Sequence, residues 1–422
     1  MTTVGNPSST GAPGAVPDTS QEQPRRRALV AASVAHATHD GMSDLIYVLL
    51  PVWQSQFALS YFVAGLMRGM YSGVMATFQI QASRLARRFG RKNMLVGGTA
   101  LSGLAYLVAG QAGALVGLGI ALMLGGLGAS TQHPLASSLV AEAHDGDKAA
   151  SRSALATYNF AGDIGKMAIP AAVGLALGWF SWQQCASATG LLGLGMAGLL
   201  AWLVPSLQAH TRERATGAAP SAEAPQTQPS AGYGLRFKAL LCTAVIDSGT
   251  RMGFLTFLPF VLRAKEAGTA TIGLALSLLF VGGAVGKLVC GYLGRRIGMV
   301  KTVWLTEAAT AIIILAVLVL PLQLALATLP LLGVALNGTS SVLYGGVPEL
   351  VPAERRERAF ALFYTGTIGA GALAPLVFGW LGDQVSIPHA MQCVAAFVCL
   401  SLPLVWLADK AAHSDTPGSL GR

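Results

Sequence analysis

The chain has 422 residues, of which 53% are hydrophobic and only 11% are charged, and its formal net charge is +9. A soluble domain carries about 25% charged residues, so this composition excludes an ordinary soluble protein and indicates that lipid is the surrounding solvent. The positive charge does not indicate a nucleic-acid surface. All but six of the 28 Lys and Arg residues fall in the termini and in alternate connections between apolar segments.

The chain opens with a polar segment rich in Gly, Pro, Ser and Thr, which predicts a disordered tail over residues 1–27. Twelve apolar segments follow, each near the roughly 20 residues that span a bilayer. Because the basic connections all lie on one side, the positive-inside rule places both termini in the cytoplasm. The predicted spans are 29–52, 59–81, 94–111, 114–139, 153–178, 185–204, 237–261, 270–290, 299–320, 324–348, 359–381 and 389–408.

A low-complexity segment at 205–236, rich in Pro, Ala and Ser, divides the spans six and six and predicts a flexible cytoplasmic linker. The expected domains are therefore a bundle at 28–204, a bundle at 237–408 and a cytoplasmic tail at 409–422. The halves repeat one another at an offset near 207. The matches in register pair Leu85–Lys92 with Leu293–Val300, Asp40 and Pro51 with Asp247 and Pro259, and Arg152, Tyr158 and Pro170 with Arg358, Tyr364 and Pro375. A duplicated unit predicts an all-α membrane protein with two pseudo-symmetric six-helix bundles and a site at their interface.

The first span carries ionisable residues near its midpoint, where each charge costs roughly 2.5–3.5 kcal/mol. His36, Asp40 and Asp44 share one helix face, and His39 is adjacent. Two shielded carboxylates beside imidazoles are suited to loading and releasing a proton. We therefore predict that these four residues couple transport to protons. Structural pairing of Asp40 with a cation on another helix, and direct substrate contact, are the alternatives.

Three cations lie at the midpoints of other spans: Arg68, Lys166 and Arg251. They are suited to holding an anionic solute, since Arg in particular matches carboxylate and phosphate geometry. Asp163, three residues before Lys166, and Asp247, four before Arg251, are included in the same predicted substrate site. The spacing also allows an internal salt bridge in each pair, which is an equal alternative.

Further polar residues complete the predicted substrate site. His133 precedes Pro134 in the fourth span, which predicts a helix bend that is either a gate or a structural kink. Tyr158, Asn159 and Tyr364 are candidate polar contacts. Lys287 and Glu307 are interpreted as partners between helices or to loops.

The sequence predicts no catalytic residue, metal site or cofactor. It contains no Walker loop and no arrangement of a nucleophile with its base. The five cysteines lack a CxxC pair and are interpreted as small buried hydrophobic residues.

The loop Leu85–Lys92 resembles the signature between helices 2 and 3 of the major facilitator superfamily, and the six-plus-six layout agrees over the whole chain. The resemblance implies the major facilitator fold, alternating access, and a gating role for this cytoplasmic loop and its counterpart. This chain departs from the family by having Arg87 where an acidic residue is usual and Ser83 where Gly is usual, so the family's charge relay lacks its acid here. The implied gating residues are Arg87, Arg88, Gly90, Arg91, Arg295 and Arg296.

The segment Ala35–Pro51 and the tripeptide Gln132–Pro134 resemble the fosmidomycin-resistance type of exporter within that superfamily. We therefore expect a monomeric transporter of the bacterial inner membrane whose partners are protons, lipid and a small-molecule substrate. The predicted function is proton-coupled efflux of a small anionic or amphipathic compound such as an antibiotic. The alternative is proton-linked uptake of an organic acid. A sensor or scaffold would need a soluble domain that this sequence does not show.

Overall fold

A computed structural model describes residues 19–144, 147–204, 234–352 and 355–414, and within these ranges the backbone forms fourteen α-helices and no β-strand. The first half contains α1 (Thr19–Phe57), α2 (Tyr61–Phe89), α3 (Arg91–Gly110), α4 (Leu115–Ala129), α5 (Gln132–Ala143), α6 (Lys148–Ala176) and α7 (Trp182–Leu203). The second half contains α8 (Leu235–Arg263), α9 (Thr269–Ile297), α10 (Met299–Val319), α11 (Leu322–Leu350), α12 (Arg356–Gln384), α13 (Ile387–Cys399) and α14 (Ser401–Ser414).

Two spans are each built from a pair of consecutive helices, so the fourteen helices form the twelve predicted spans. The fourth span breaks between α4 and α5, four residues before Pro134. Proline has no N–H to give to the carbonyl four residues earlier, here that of Ser130, and its ring crowds that carbonyl. The break lies where a bend was predicted from His133–Pro134. Pro403 stands in the same relation to the break after Cys399, which the sequence analysis did not predict.

The N-terminus differs from the predicted tail. Helix α1 begins at Thr19, so residues 19–27 are helical rather than disordered. Glu, Gln and Arg are strong helix formers, and the long apolar helix that follows removes the cost of nucleation. Residues 1–18 of the predicted tail, the linker segment 205–233 and residues 415–422 lie outside the described residues.

Nine spans of the described chain are long and apolar enough by composition to cross a membrane. The other three are α1, α2 and α6. These helices carry Asp40 and Asp44, Arg68, and the pair Asp163 and Lys166. Their lower hydropathy therefore has the same origin as the charges that the sequence analysis singled out.

The two bundles meet along two helix pairs, α2 with α12 and α6 with α9. Small residues allow the backbones to touch, as is usual for helices packed in lipid. A Cβ on Gly273 would lie 2.8 Å from the carbonyl oxygen of Pro170, and one on Gly69 would lie 2.7 Å from that of Ala372.

The apolar core shows which end of the molecule is open. One large cluster joins both bundles and contains the second half of α1, from Met42 to Trp53, and of α8, from Phe254 to Leu262. At the other end the core divides into two separate clusters. One surrounds Tyr158 in the first bundle, and the other surrounds Phe237 in the second. The bundles are therefore joined at one end and separated by a cleft at the end that carries the basic loops.

Candidate functional site

Contacts between the bundles close the end opposite the basic loops. The Tyr47 hydroxyl of α1 donates to the Met252 sulfur of α8 over 3.7 Å and forms the floor of the cleft. Below that floor, Arg263 donates to the carbonyl oxygen of Pro51 over 2.5 Å. The carboxylate of Asp383 accepts from the backbone N–H groups of Tyr61 and Phe62 at 2.7 and 2.8 Å, so α12 caps the start of α2. These bonds hold the closed arrangement.

Asp40 is the centre of a polar cluster above the floor. The Lys166 ammonium of α6 and Nε2 of His36 each lie 3.2 Å from its Oδ2. Nε2 of His39 and of His133 each lie 3.8 Å from its Oδ1. The Asp40 side chain is only 6% exposed, whereas those of His133 and Lys166 are 42% and 30% exposed. The carboxylate is thus buried behind a cation and an imidazole that reach water.

Glycines on α6 bring this cluster together. A Cβ on Gly162 would lie 2.7 Å from Cε1 of His36 and 2.8 Å from Oδ2 of Asp40, so only glycine lets α6 pack against this face of α1. Lys166 then reaches Asp40. The ring of His36 stacks on Tyr158 at 4.2 Å between centroids, and its Nδ1 lies 2.9 Å from the Tyr158 carbonyl oxygen. A carbonyl only accepts, so Nδ1 of His36 carries the hydrogen.

Asp44 occupies a separate environment one turn further along α1. Its Oδ1 lies 3.8 Å from Arg68, which is an ion pair too long for a hydrogen bond. Arg68 is buried and donates to Ser72 over 2.6 Å. Its guanidinium also lies over the rings of Tyr47 and Tyr71, at 4.8 and 5.7 Å from their centroids. Arg68 is therefore fixed inside the first bundle and is not presented to the cleft.

The other buried charges pair between helices rather than within them. Both carboxylate oxygens of Asp163 accept from Lys287 of α9 at 2.7 Å, which links the two bundles. Lys166 therefore pairs with Asp40 and not with Asp163. Ser340 of α11 accepts from Arg251 and donates to Asp247, each over 3.0 Å, so a hydroxyl joins the two charges of α8. The internal salt bridges that the spacing permits are replaced by these contacts.

Three further predicted site residues and two other polar residues lie outside the Asp40 cluster. Arg251 is half-buried on α8 and bonds Ser340 rather than any residue of that cluster. Asn159 is exposed, and Tyr364 packs beside Tyr344 at 5.5 Å between ring centroids. The partner of Lys287 and the burial of Glu307 did not follow from the sequence. The Oε1 of Glu307 has no hydrogen-bond partner among the described residues. Each of these two residues is a single charged side chain within an apolar span, and this feature could have identified both of them from the sequence.

The predicted gating residues lie at the basic ends of α2 and α9 and do not join the cluster. Gly90 and Gly298 both have positive φ, at 84° and 87°, a conformation that favours glycine and that repeats between the halves. Arg91 forms an ion pair with Glu142 at the end of α5. The side chains of Arg87, Arg88, Arg295 and Arg296 are exposed.

Comparisons with known proteins agree with this architecture. The family profile described as Major Facilitator Superfamily matches residues 32–260 and 239–422. Two similar solved structures are of a bacterial homolog of the human lysosomal transporter Spinster, one inward-facing and occupied and one inward-facing and unoccupied. Their TM-scores are 0.74 and 0.75, each at 14% identity over 94% of this chain and 99% of that chain. At this identity the likeness concerns the fold alone. No curated protein matches the sequence.

Proposed function

This chain belongs to the Major Facilitator Superfamily, and from that premise we propose that it exports a small anionic or amphipathic compound in exchange for protons. The observation that carries the proposal is the set of buried ionisable side chains directly above the closed floor of an inter-bundle cleft. Such charges are costly in a membrane and are retained where they face a water-filled solute pathway. The chain is a membrane transporter and not an enzyme.

We assign the coupling proton to Asp44. Among the described residues, the ion partner of Asp44 is Arg68, at a separation too long for a hydrogen bond, so protonation of Asp44 breaks no hydrogen bond. Asp40 is instead held by the ammonium of Lys166, 3.2 Å from its Oδ2. The sequence predicted proton coupling by Asp40, Asp44, His36 and His39, and we now propose this role for Asp44 alone. When Asp44 is protonated, it no longer neutralises the positive charge of Arg68. The unbalanced charge at the cleft floor would favour opening of the contact between α1 and α8.

We assign the cargo to the cationic groups that the cleft exposes. Lys166 reaches water from the first bundle, and Arg251 lies on α8 of the second bundle. A solute bridging them would contact both halves, so its binding would differ between open and closed arrangements, as a carrier requires. Arg68, predicted as a third cargo contact, is withdrawn from this role because it is enclosed by Tyr47, Tyr71 and Ser72.

We also propose that both termini face the cytoplasm of a bacterial cell, that the cleft is open inward, and that the protein acts as a monomer. The asymmetric distribution of Lys and Arg supports the orientation. The export direction and the antibiotic class rest on the resemblance to fosmidomycin-resistance exporters. Proton-linked uptake of an organic acid would use the same charged cleft and is the second candidate.

Flux in proteoliposomes with an imposed pH gradient tests the coupling, with labelled fosmidomycin and a panel of organic acids as probes. We expect Asp44→Asn to abolish the response to the gradient while solute exchange at equal pH persists. Glu266→Gln, an exposed loop carboxylate, serves as the matched control and should behave as wild type. Gradient-driven flux that survives in Asp44→Asn would contradict the assignment. A growth assay separates the directions, because loss of an exporter raises drug sensitivity whereas loss of an importer removes use of a carbon source.

A further inference from the structure

Three histidines converge on Asp40, in a cluster defined here as the imidazole cluster (His36, His39, Asp40 and His133). The ligand atoms of His36, Asp40 and His133 all lie within 4.8 Å of one another. We propose that this cluster binds a divalent transition-metal ion of the Zn²⁺, Co²⁺ and Ni²⁺ class. No metal site was expected from the sequence, because two of the ligands lie on α1 and the third lies on α5, which is distant along the chain.

The position of the hydrogen on His36 favours a metal ion. Its Nδ1–H is donated to the Tyr158 carbonyl, which directs the Nε2 lone pair at the carboxylate of Asp40 only 3.2 Å away. Two lone pairs in this arrangement repel unless a proton or a metal ion lies between them. A histidine that binds a metal through one nitrogen almost always donates its other N–H to a carbonyl or carboxylate. His36 is thus oriented as a metal ligand.

The number of imidazole nitrogens that face one carboxylate also favours a metal ion. A single proton between His36 and Asp40 does not require other imidazoles nearby. Yet His39 and His133 also direct Nε2 toward Asp40, at 3.8 Å from Oδ1. Both distances exceed a hydrogen bond. Ligand atoms about 2.0–2.2 Å from a tetrahedral ion lie about 3.3–3.6 Å apart, so small side-chain rotations close the site.

An ion can reach the imidazole cluster from the cleft, and one of its ligands is free to rotate. The His133 side chain is 42% exposed, so an ion can enter from the cleft and the ring can rotate toward Asp40. The rings of His36 and His39 meet that of His133 edge-on, at 5.2 and 5.0 Å between centroids, and no stacking holds His133 in place.

Lys166 is the competitor for this site. Its ammonium lies 3.2 Å from Asp40, and a divalent ion there must displace it. The side chain is 30% exposed, and its four-carbon stem allows the charge to swing into the cleft. Removal of this ammonium should therefore strengthen metal binding. A cluster that merely stabilises the fold predicts no such gain.

The test uses purified full-length protein in detergent with an affinity tag that lacks histidine. Zn²⁺ binding is measured by isothermal titration calorimetry, and Co²⁺ geometry by visible absorption. We expect one ion per chain in the wild type and at least a tenfold loss of affinity in His36→Gln and in His133→Gln. We expect a gain of about tenfold in Lys166→Gln. His389→Gln is the control, because this exposed histidine bonds Ser386 away from the cluster and should leave binding unchanged.

If His36→Gln fails to fold, His133→Gln still tests the proposal, because the His133 side chain is partly exposed and its ring makes no hydrogen bond to the described residues. Absence of binding in the wild type, equal binding in wild type and His133→Gln, or weaker binding in Lys166→Gln would each overturn the proposal. The measurement involves no transport, so its failure is distinct from failure of the proton-coupling model at Asp44.

Discussion

The backbone contact between α6 and α9 at the closed end predicts the effect of adding a single methyl group. A Cβ on Gly273 would lie 2.8 Å from the Pro170 oxygen and 3.1 Å from Cα of Ala171, whereas ordinary contact begins at 3.4 Å. Gly273→Ala therefore forces the helices apart by about 0.6 Å at this point, and overpacking of this kind costs about 1–3 kcal/mol.

A glycine on the same helix provides the control. A Cβ on Gly291 would meet only the end of the Arg295 side chain, at 4.0 Å. Both substitutions gain about 1 kcal/mol of helix stability, so their difference isolates the clash. If the closed contact exists only in this arrangement of the bundles, Gly273→Ala lowers its population by about 5- to 150-fold relative to Gly291→Ala.

Double electron–electron resonance between two spin labels measures this change in the population of the closed contact. Labels at Ala114 and Glu266, both exposed in loops at the closed end of opposite bundles, suit a background without native cysteines. We expect longer label distances in Gly273→Ala than in Gly291→Ala, with thermal unfolding used to confirm that both variants are folded. Identical distance distributions in the two variants would refute the view that this contact controls closure.

Three further predictions concern ion pairs, caps and orientation. Lys287→Met leaves the Asp163 carboxylate without its ammonium and should lower the free energy of unfolding by about 1–3 kcal/mol, less than for a fully buried pair because Lys287 is partly exposed. Adding Asp163→Asn should restore most of the loss in thermal unfolding, and no recovery would show that the pair is not the cause. Asp383→Ala removes the cap on α2 and should cost about 0.5–2 kcal/mol, and an unchanged melting temperature would contradict this. In intact cells a membrane-impermeant maleimide should label Glu266→Cys but not Arg84→Cys, and the reverse pattern would place the termini outside.

Much of the architecture follows from local properties of the sequence. Length and hydropathy define each span because a helix must satisfy its own backbone inside lipid. Pro134 predicts the break in the fourth span because a missing N–H acts on the carbonyl four residues earlier. The repeat between Gly90 and Gly298 follows from a backbone conformation that glycine favours. Composition predicted disorder for residues 19–27, but these polar residues extend the long helix that follows them.

The partners of the buried charges did not follow from the sequence. Spacing paired Asp163 with Lys166, yet Asp163 bonds Lys287 on the other bundle and Lys166 reaches Asp40 on α1. The approach of α6 to α1 at Gly162 decides this outcome, and no local pattern encodes which helices will touch. Arg68 shows the same limit, because only packing reveals that aromatic rings enclose it.

The sequence by itself determined the number of spans, their division into two matched halves and the presence of charge at the midplane, because each depends on residues near one another in the chain. The tertiary structure alone decided which end of the cleft is closed, which charges meet, and that three imidazoles surround one carboxylate. Those features depend on distances between helices, which are set by close contacts of small residues across the whole fold.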